Sequence, residues 1–177
     1  MTNSLPHRVY LGLGTNLGDR EANIETAIRL IGERVGTVVR QSSLIETEPW
    51  GFESPNKFLN AVILCETERT PRQVLRLTQK IERDMGRKKP IGGQSPSTTN
   101  RTEGKASDMI LKRQYKDRPI DIDILLYDNI TIDEPDLKIP HPLMHERDFV
   151  MIPLNEIRNN EASKYRNNEK KQKQNYV

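Results

Sequence analysis

Two aspartates lie two residues apart in an apolar segment of the sequence, RPIDIDILLY at 118–127. The isoleucines and leucines around them predict a β-strand. Because side chains alternate across a strand, Asp121 and Asp123 project from one face, about 6–7 Å apart. The segment becomes apolar on both faces after residue 124, as expected where a strand enters a covered sheet, so the acids mark its entrance.

A pair of ionised carboxylates beside a core repels itself and loses hydration unless cations compensate. Mg²⁺ suits such a pair, because it takes one or two carboxylates and completes its coordination with water and phosphate oxygens. The alternative is a solvated strand face on which Arg118 is the counter-ion. We favour metal ligation by Asp121 and Asp123 over that alternative.

A second candidate group combines an aromatic ring with an amide. Residues 57–66 (KFLNAVILCE) predict a strand on which Phe58 and Asn60 share one face. A buried amide needs partners, and a flat heterocycle with donors and acceptors on its rim would supply them. A neighbouring loop would satisfy the amide equally well, and the pattern does not choose between the two.

The first half of the chain predicts a strand and helix followed by a pair of strands. A strand at 9–14 leads through a glycine-containing loop into an amphipathic helix that starts at Asp19. Residues 37–47 predict a second strand. The loop between it and 57–66 is too short for a crossover helix, so we expect these two strands to be antiparallel. The loop contains Trp50, the only tryptophan in the sequence.

A second helix is predicted from Thr70 to Gly86, with a capping threonine, a proline in its first turn and a terminating glycine. Gln79 and Glu82 lie three residues apart on a face beside its apolar stripe, where solvation is the usual outcome. After the acidic strand we expect a short strand at 130–132. A helical segment should then extend from the prolines near 140 on the apolar pattern Phe149, Ile152, Leu154 and Ile157.

Composition limits the classes of function. The chain has 177 residues and a formal net charge of +3, but residues 158–177 alone carry six basic and two acidic residues. The body is therefore not basic, and we expect no nucleic-acid partner. We expect residues 158–177 to be a disordered polar tail and 87–117, which are rich in glycine, serine and basic residues, to form a long mobile loop.

Other sequence signals are negative. The N-terminal residues have no apolar signal region and no apolar run is long enough to span a membrane, so we expect a cytoplasmic protein. Three glycines near 12–18 are spaced too widely for a dinucleotide fingerprint, and the glycine-lysine pair at 104–105 lacks the rest of a P-loop. His141 and His145 lack a third zinc ligand, so phosphate or nucleotide contacts suit them and Arg147 better.

Six short motifs, in order, resemble those of the 6-hydroxymethyl-7,8-dihydropterin pyrophosphokinase family. They are Gly-x-Asn-Leu-Gly at 14–18, Glu-Thr-x-Pro-x-Gly at 46–51, Phe-Leu-Asn at 58–60, Gln-x-x-Glu with Gly-Arg at 79–87, Arg-x-x-Asp-x-Asp at 118–123, and Pro-His-Pro with Arg-x-Phe-Val at 140–150. The resemblance extends from about Tyr10 to Ile157. It implies a single catalytic domain over 1–157, with a ferredoxin-like α/β fold in three layers and helices packed on a mostly antiparallel sheet.

The resemblance also implies a reaction. Members of the family transfer the β,γ-pyrophosphate of ATP to the hydroxymethyl group of 6-hydroxymethyl-7,8-dihydropterin and release AMP. By position, Asp121 and Asp123 would bind two Mg²⁺ ions, and Arg87 and Arg118 would contact phosphates. The pterin would contact Thr47, Trp50, Phe58, Asn60 and Phe149, and the nucleotide would contact Gln79, Glu82, Arg87, Arg118, His141 and Arg147.

Departures from the family pattern concern phosphate contacts. The family usually has an aromatic residue, glycine and a small residue or proline before the arginine at 118, where this chain has Tyr115, Lys116 and Asp117. Rival interpretations are a ferredoxin-like RNA-binding module and a metal-dependent nuclease. The acidic strand argues against the first, because RNA-binding sheets carry aromatic and basic residues on their central strands. We expect a monomer that acts on small molecules.

Overall fold

The computed structural model describes residues 5–87 and 117–159. They form a five-stranded sheet with helices on both faces. The strands are β1 (His7–Thr15), β2 (Thr37–Gln41), β3 (Ile45–Thr47), β4 (Phe58–Thr67) and β5 (Asp121–Tyr127). The order across the sheet is β2-β4-β1-β5, with β3 beside β4, and each of these pairings is antiparallel. The antiparallel relationship between the second and third predicted strands is confirmed.

Two helices begin where their capping residues predict. α1 (Arg20–Arg34) starts after Asp19, whose carboxylate accepts a 3.0 Å hydrogen bond from the backbone N–H of Ala22. α2 (Pro71–Asp84) starts with a reciprocal capping box between Thr70 and Gln73. Gly86, at φ 96°, ends α2 in the left-handed region that glycine adopts without strain. A third helix, α3, covers 148–159.

The sheet separates two apolar cores, which gives the three layers predicted from the family resemblance. On one face, α1 and α2 bury residues such as Ile24 and Ile81 against β1 and β5. On the other face, α3 buries Leu154 and Ile157 against Val62 and other residues of β4 and β5. A continuous core on each face fixes the register of the strands, because slipping a strand by one residue would move its side chains to the opposite face of the sheet.

Two predicted strands and one predicted helix face differ from the structure. The single strand expected over 37–47 is divided into β2 and β3, because Ser42 accepts the Val62 N–H through its hydroxyl and so replaces a regular strand contact. The strand expected at 130–132 instead forms the hairpin β6 (Ile132–Glu134) and β7 (Leu137–Ile139), a separate two-stranded sheet. Ile152, assigned to the inner stripe of α3, is 57% exposed, and Val150 lies on the buried side instead.

Two further predictions concern parts of the chain outside the described residues. Only the ends of the predicted mobile loop, residues 87 and 117, are described. α3 reaches residue 159, and the remainder of the predicted tail, 160–177, is likewise outside them. Within the described ranges, no helix has both the length and the apolar character that crossing a membrane requires.

Candidate active site

Two glycines of β1 form the floor of a cavity at one end of the sheet. In the strand register, Gly14 lies between Asn60 on β4 and Asp121 on β5, and Gly12 lies between Val62 and Asp123. A Cβ on Gly14 would approach Asn60 Oδ1 to 3.2 Å, and one on Gly12 would touch Leu125 at 3.4 Å. The missing side chains therefore leave open space between the acidic strand and the amide-bearing strand.

The predicted acidic pair lines this cavity, as does Arg118. Asp121 Oδ1 accepts a 2.7 Å hydrogen bond from Arg87 Nη1, and its Oδ2 accepts a 3.0 Å bond from Arg118 Nη1. Both arginines were predicted from the resemblance as phosphate-contacting residues. The structure brings Arg87 and Arg118 together on Asp121, so two guanidinium groups and a carboxylate form one cluster at the start of β5.

Glu82 joins the same cluster from α2, although the helix pattern predicted a solvated side chain. It is only 6% exposed. Its Oε1 accepts a 2.7 Å hydrogen bond from the backbone N–H of Ile122 and lies 2.6 Å from Arg87 Nη1. The expectation of solvation is wrong, because the start of β5 packs against this helix turn and offers a buried backbone donor that needs an acceptor.

Burial and mutual repulsion perturb two of the three carboxylates. Desolvation, followed by the neighbouring Asp121, raises the pKa of Asp123 to about 7. Desolvation, again followed by Asp121, raises the pKa of Glu82 to about 7 against the opposing effect of Arg87. Among the residues that the structure describes, the positive charges of Arg147 and Arg87 therefore do not offset the burial of Asp123 and its repulsion by Asp121.

A divalent cation fits this arrangement. Two carboxylates on one strand face, one of them held by arginines and the other undercompensated, suit Mg²⁺, which needs only one or two protein carboxylates. Among the described residues no group of three or more His, Cys, Asp or Glu side chains could enclose a metal.

The opposite wall of the cavity is aromatic. Phe58, Phe149, Trp50 and Phe52 line it, and the edge of Phe52 packs against Phe58 with ring centroids 6.0 Å apart. Asn60 lies beside Phe58 as predicted, and its Nδ2 donates to Thr47 Oγ1 at 2.9 Å and to the backbone oxygen of Ile45 at 3.3 Å. The amide is thus oriented by strand β3, while its Oδ1 faces the open floor at Gly14.

Arg147 covers the aromatic wall. Its guanidinium carbon lies 4.4 Å from the centre of the Trp50 ring and 5.8 Å from that of Phe149. The residue is 8% exposed, and its Nε, within the described structure, is buried without a hydrogen-bond partner. Arg147 also lines the cavity, and a largely buried guanidinium there is suited to an anionic ligand.

Two predicted nucleotide-contacting residues lie apart from the cavity wall. Gln79 is exposed on α2, and His141 is half-buried, with its Nδ1 accepting a 3.2 Å hydrogen bond from the Leu143 N–H. His145 is exposed. The structure therefore places Thr47, Trp50, Phe58, Asn60, Arg118, Asp121, Asp123, Arg147 and Phe149 around one cavity.

Sequence reasoning overlooked Gly12 and Gly14 as a cavity floor, and it missed Asn16 entirely as a structural residue. Asn16 is 3% exposed, its Oδ1 accepts the Arg118 N–H at 2.8 Å, and its own N–H donates to the Arg118 oxygen at 3.2 Å. This pair of bonds fixes the entry to β5. The Gly-x-Asn spacing after a strand was the available signal, because a buried asparagine at a strand end usually satisfies backbone groups.

Comparison with known proteins identifies related sequences. The family model described as 7,8-dihydro-6-hydroxymethylpterin-pyrophosphokinase (HPPK) matches residues 10–159. A 2-amino-4-hydroxy-6-hydroxymethyldihydropteridine pyrophosphokinase of Porphyromonas gingivalis is 43% identical over 150 residues, which cover 84% of this chain and 89% of that protein. The Bacillus subtilis protein of the same name is 35% identical over 149 residues, covering 84% and 76%.

Solved structures support the fold. A crystal structure of an HPPK-DHPS in complex with substrates matches with a TM-score of 0.62 at 15% identity, covering 87% of this chain. The wild-type HPPK-DHPS of Plasmodium falciparum with pteroate matches with a TM-score of 0.59 at 15% identity, covering 88%. The chain spans only 40% and 41% of the lengths of these two proteins. At this identity the likeness concerns the fold alone.

Proposed function

The chain belongs to the 7,8-dihydro-6-hydroxymethylpterin-pyrophosphokinase family, and we propose that its cavity is the active site for the pyrophosphate transfer after which that family is named. The enzyme transfers pyrophosphate from ATP to the hydroxymethyl group of 6-hydroxymethyl-7,8-dihydropterin in folate biosynthesis. The hydroxymethyl oxygen attacks the β-phosphorus of ATP, the bond from that phosphorus to the α,β-bridging oxygen breaks, and AMP leaves. The hydroxyl proton passes to solvent.

One observation carries this proposal: a single cavity has an acidic wall and an aromatic wall, separated by the glycines of β1. A flat heterocycle bound at the aromatic wall would direct a substituent across Gly14 toward Asp121. Phosphates bound at the acidic wall through a cation would meet it there. This arrangement suits a reaction in which the enzyme positions two substrates against each other and forms no covalent intermediate with them.

The aromatic wall is proposed to bind the pterin. Phe58 and Phe149 would pack on the two faces of the ring, and Asn60 would read its edge with Thr47. The bond from Asn60 to Thr47 supports this assignment, because it fixes which end of the amide faces the ligand. Trp50 would close the outer side of the ring beside Arg147.

The acidic wall is proposed to bind the triphosphate. Asp121 and Asp123 would hold Mg²⁺, with two ions as the expected number, and the metal would neutralise phosphate charge. Arg87 and Arg118 would exchange part of their bonding to Asp121 for phosphate oxygens, and Arg147 would present its buried donor to the transferred group. Catalysis would then rest on positioning and charge neutralisation.

The remaining residues that are expected to contact the nucleotide differ in their surroundings. Glu82 already accepts two donors, which favours a role in holding Arg87 and β5 rather than in touching nucleotide. Gln79 and His141 stay proposals for nucleotide contact at the margin of the site. A single catalytic domain over 1–157 and a monomeric state also stay proposals.

The test is an assay of AMP release from Mg-ATP with and without the hydroxymethyl pterin. AMP should appear only with the pterin and fall to background in Asp123→Asn, while Glu33→Gln, an exposed change on α1, should retain full turnover. AMP release that ignores the pterin would overturn the proposal. A melting temperature that rises with DNA but not with Mg-ATP would favour the nuclease alternative.

A further inference from the structure

A polar cluster outside the proposed substrate contacts connects the two walls of the cavity. Asp117, which directly precedes Arg118, accepts a 2.6 Å hydrogen bond from Asn16 Nδ2 at Oδ1 and a 2.8 Å bond from Asn56 Nδ2 at Oδ2. The Ser54 hydroxyl also donates to this carboxylate, and these donors, with that of Ser54 contributing most, lower the pKa of Asp117. One carboxylate thus collects three side-chain donors from two segments.

Two of those donors belong to the loop that carries the aromatic wall. Residues 48–57 connect β3 to β4 and include Trp50 and Phe52, both of which line the cavity. Asn56 is fixed further by a 3.1 Å bond from its N–H to Ser54 Oγ and by a 3.4 Å bond from Asn16 Nδ2 to its backbone oxygen. One attachment of this loop to the rest of the molecule is therefore the cluster of Asn16, Ser54, Asn56 and Asp117.

The third donor ties the same cluster to the acidic wall. Asn16 is buried, and it exchanges hydrogen bonds with both backbone groups of Arg118. Arg118 in turn binds Asp121 at 3.0 Å. A displacement of Asp117 would therefore act in two directions, toward Trp50 through Asn56 and toward Asp121 through Arg118.

We propose that Asp117 is a positioning residue that holds the aromatic loop 48–57 in register with the metal-binding strand, and so sets affinity for the pterin. This inference rests on the proposed function. It concerns a position at which the family resemblance leads one to expect a small residue or proline. Such a residue would lack the two carboxylate oxygens that accept Asn16 and Asn56.

The chain supplies a matched control at the other end of β5. Asp128 directly follows the strand and likewise joins two segments, accepting the Arg8 N–H at 2.7 Å and His7 Nδ1 at 2.7 Å. It is exposed and does not line the cavity, and it lies at the opposite end of β5 from Asp117. Asp128→Asn removes the same charge as Asp117→Asn, and asparagine tolerates the positive φ of 44° found there.

Trp50 provides a readout that does not depend on activity, because it is the only tryptophan in the sequence. In the full chain without ligands, Asp117→Asn should raise acrylamide quenching of Trp50 about twofold, since loss of charge-assisted bonds releases the loop. Asp128→Asn should leave quenching unchanged. Asn56→Ala, which removes one donor and keeps Asp117, should give an intermediate increase and serves if Asp117→Asn does not fold.

Steady-state kinetics completes the test. Asp117→Asn should raise KM for the pterin roughly tenfold and KM for ATP by less than about twofold, because the loop carries Trp50 and Phe52 of the aromatic wall, while Arg118 keeps its own bonds to Asn16 and Asp121. A purely structural role would lower stability in both aspartate variants without this split. Unchanged Trp50 quenching and unchanged pterin KM in Asp117→Asn would overturn the inference. If the wild-type chain released no AMP, the proposed function would fail while the quenching comparison still decided whether Asp117 anchors the loop.

Discussion

The backbone N–H of Ile122 donates a 2.7 Å hydrogen bond to Glu82 Oε1, so a carboxylate on α2 holds β5 midway between its two aspartates. The same carboxylate pairs with Arg87 at 2.6 Å. Glu82 therefore fixes both the position of β5 and the direction of Arg87, which we propose binds phosphate. Through these two contacts, a residue of α2 helps to position Asp121 and Asp123 on β5 and Arg87 beside them.

Glu82→Gln should reduce kcat about tenfold or more with little loss of stability. The amide oxygen still accepts the Ile122 N–H, but a neutral side chain no longer attracts the Arg87 guanidinium, so Arg87 is positioned less well for phosphate. The measurement is kcat together with the melting temperature, against Glu33→Gln, an exposed member of an ion pair on α1. Normal turnover in Glu82→Gln would show that Asp121 alone is enough to position Arg87.

Stability of the unliganded protein should fall between pH 5 and pH 8. The folded-state pKa values of Asp123 and Glu82 lie near 7, above their ordinary values, so their contribution is fully present below about pH 4 and is lost as the pH rises through 7. The upper limit for one such group is on the order of 4 kcal/mol. Carboxyls whose pKa is lowered, such as Asp84 and Asp136, act below this window.

Urea unfolding at the two pH values measures this loss. Asp123→Asn should reduce the pH dependence, because one of the two carboxyls with a raised pKa is gone while Glu82 still titrates. Mg-ATP should also flatten it in the wild-type protein, since a bound cation compensates the ionised pair. Equal stability of the unliganded wild type at pH 5 and pH 8 would contradict the perturbed pKa values.

Variants of the two aspartates should differ in stability, although we propose that both residues bind Mg²⁺. Asp121→Asn leaves Arg87 and Arg118 without the carboxylate that joins them, so we expect a melting temperature lower by several degrees. Asp123→Asn relieves repulsion and should be neutral or stabilising at pH 8. Thermal denaturation of both variants checks the contrast, and equal shifts would mean that the arginines do not depend on Asp121.

Gly14→Ala should weaken pterin binding without unfolding the protein. The added methyl would approach Asn60 Oδ1 to 3.2 Å and Phe58 to 3.7 Å, so it occupies the floor where the ring edge is expected. Gly32→Ala, in α1 with open space around its Cβ, is the matched control and should stabilise by about 0.5–1 kcal/mol. Pterin KM and urea unfolding of both variants give the comparison. Unchanged pterin KM in Gly14→Ala would place the ring elsewhere.

Helix starts and the alternation of side chains along a strand could be predicted, because both depend on residues that are close together in the sequence. Asp19 and Thr70 start helices because a capping side chain acts within three residues, and alternation in 118–127 gave the shared face of the two aspartates. Glu82 could not be predicted in the same way, because its burial depends on β5, which lies far along the chain. The β6–β7 hairpin was missed for a similar reason: its strands have only three residues each, too few to show alternation.

The candidate site shows the same division. Residue types and motif order were enough to select Asp121, Asp123, Phe58 and Asn60, all of which line the cavity. The bond between Asn60 and Thr47 and the stack of Arg147 on Trp50 depend on which strands become neighbours. Those neighbours follow from the sheet order, which no single segment specifies.

The position of β1 between β4 and β5 has a consequence for how the chain assembles. β1 is made first and can pair with β4 as soon as residue 67 exists, but its other edge waits for β5, which follows most of the chain. During synthesis Trp50, Phe52 and Phe58 of the aromatic wall can therefore come together early, before Phe149 is made, while β1 still exposes unpaired backbone groups, a surface prone to intermolecular strand pairing. Arrival of β5 adds Asp121 and Asp123 and pairs with that edge of β1, so gaining the proposed Mg²⁺-binding residues and covering the exposed edge of β1 are the same folding event.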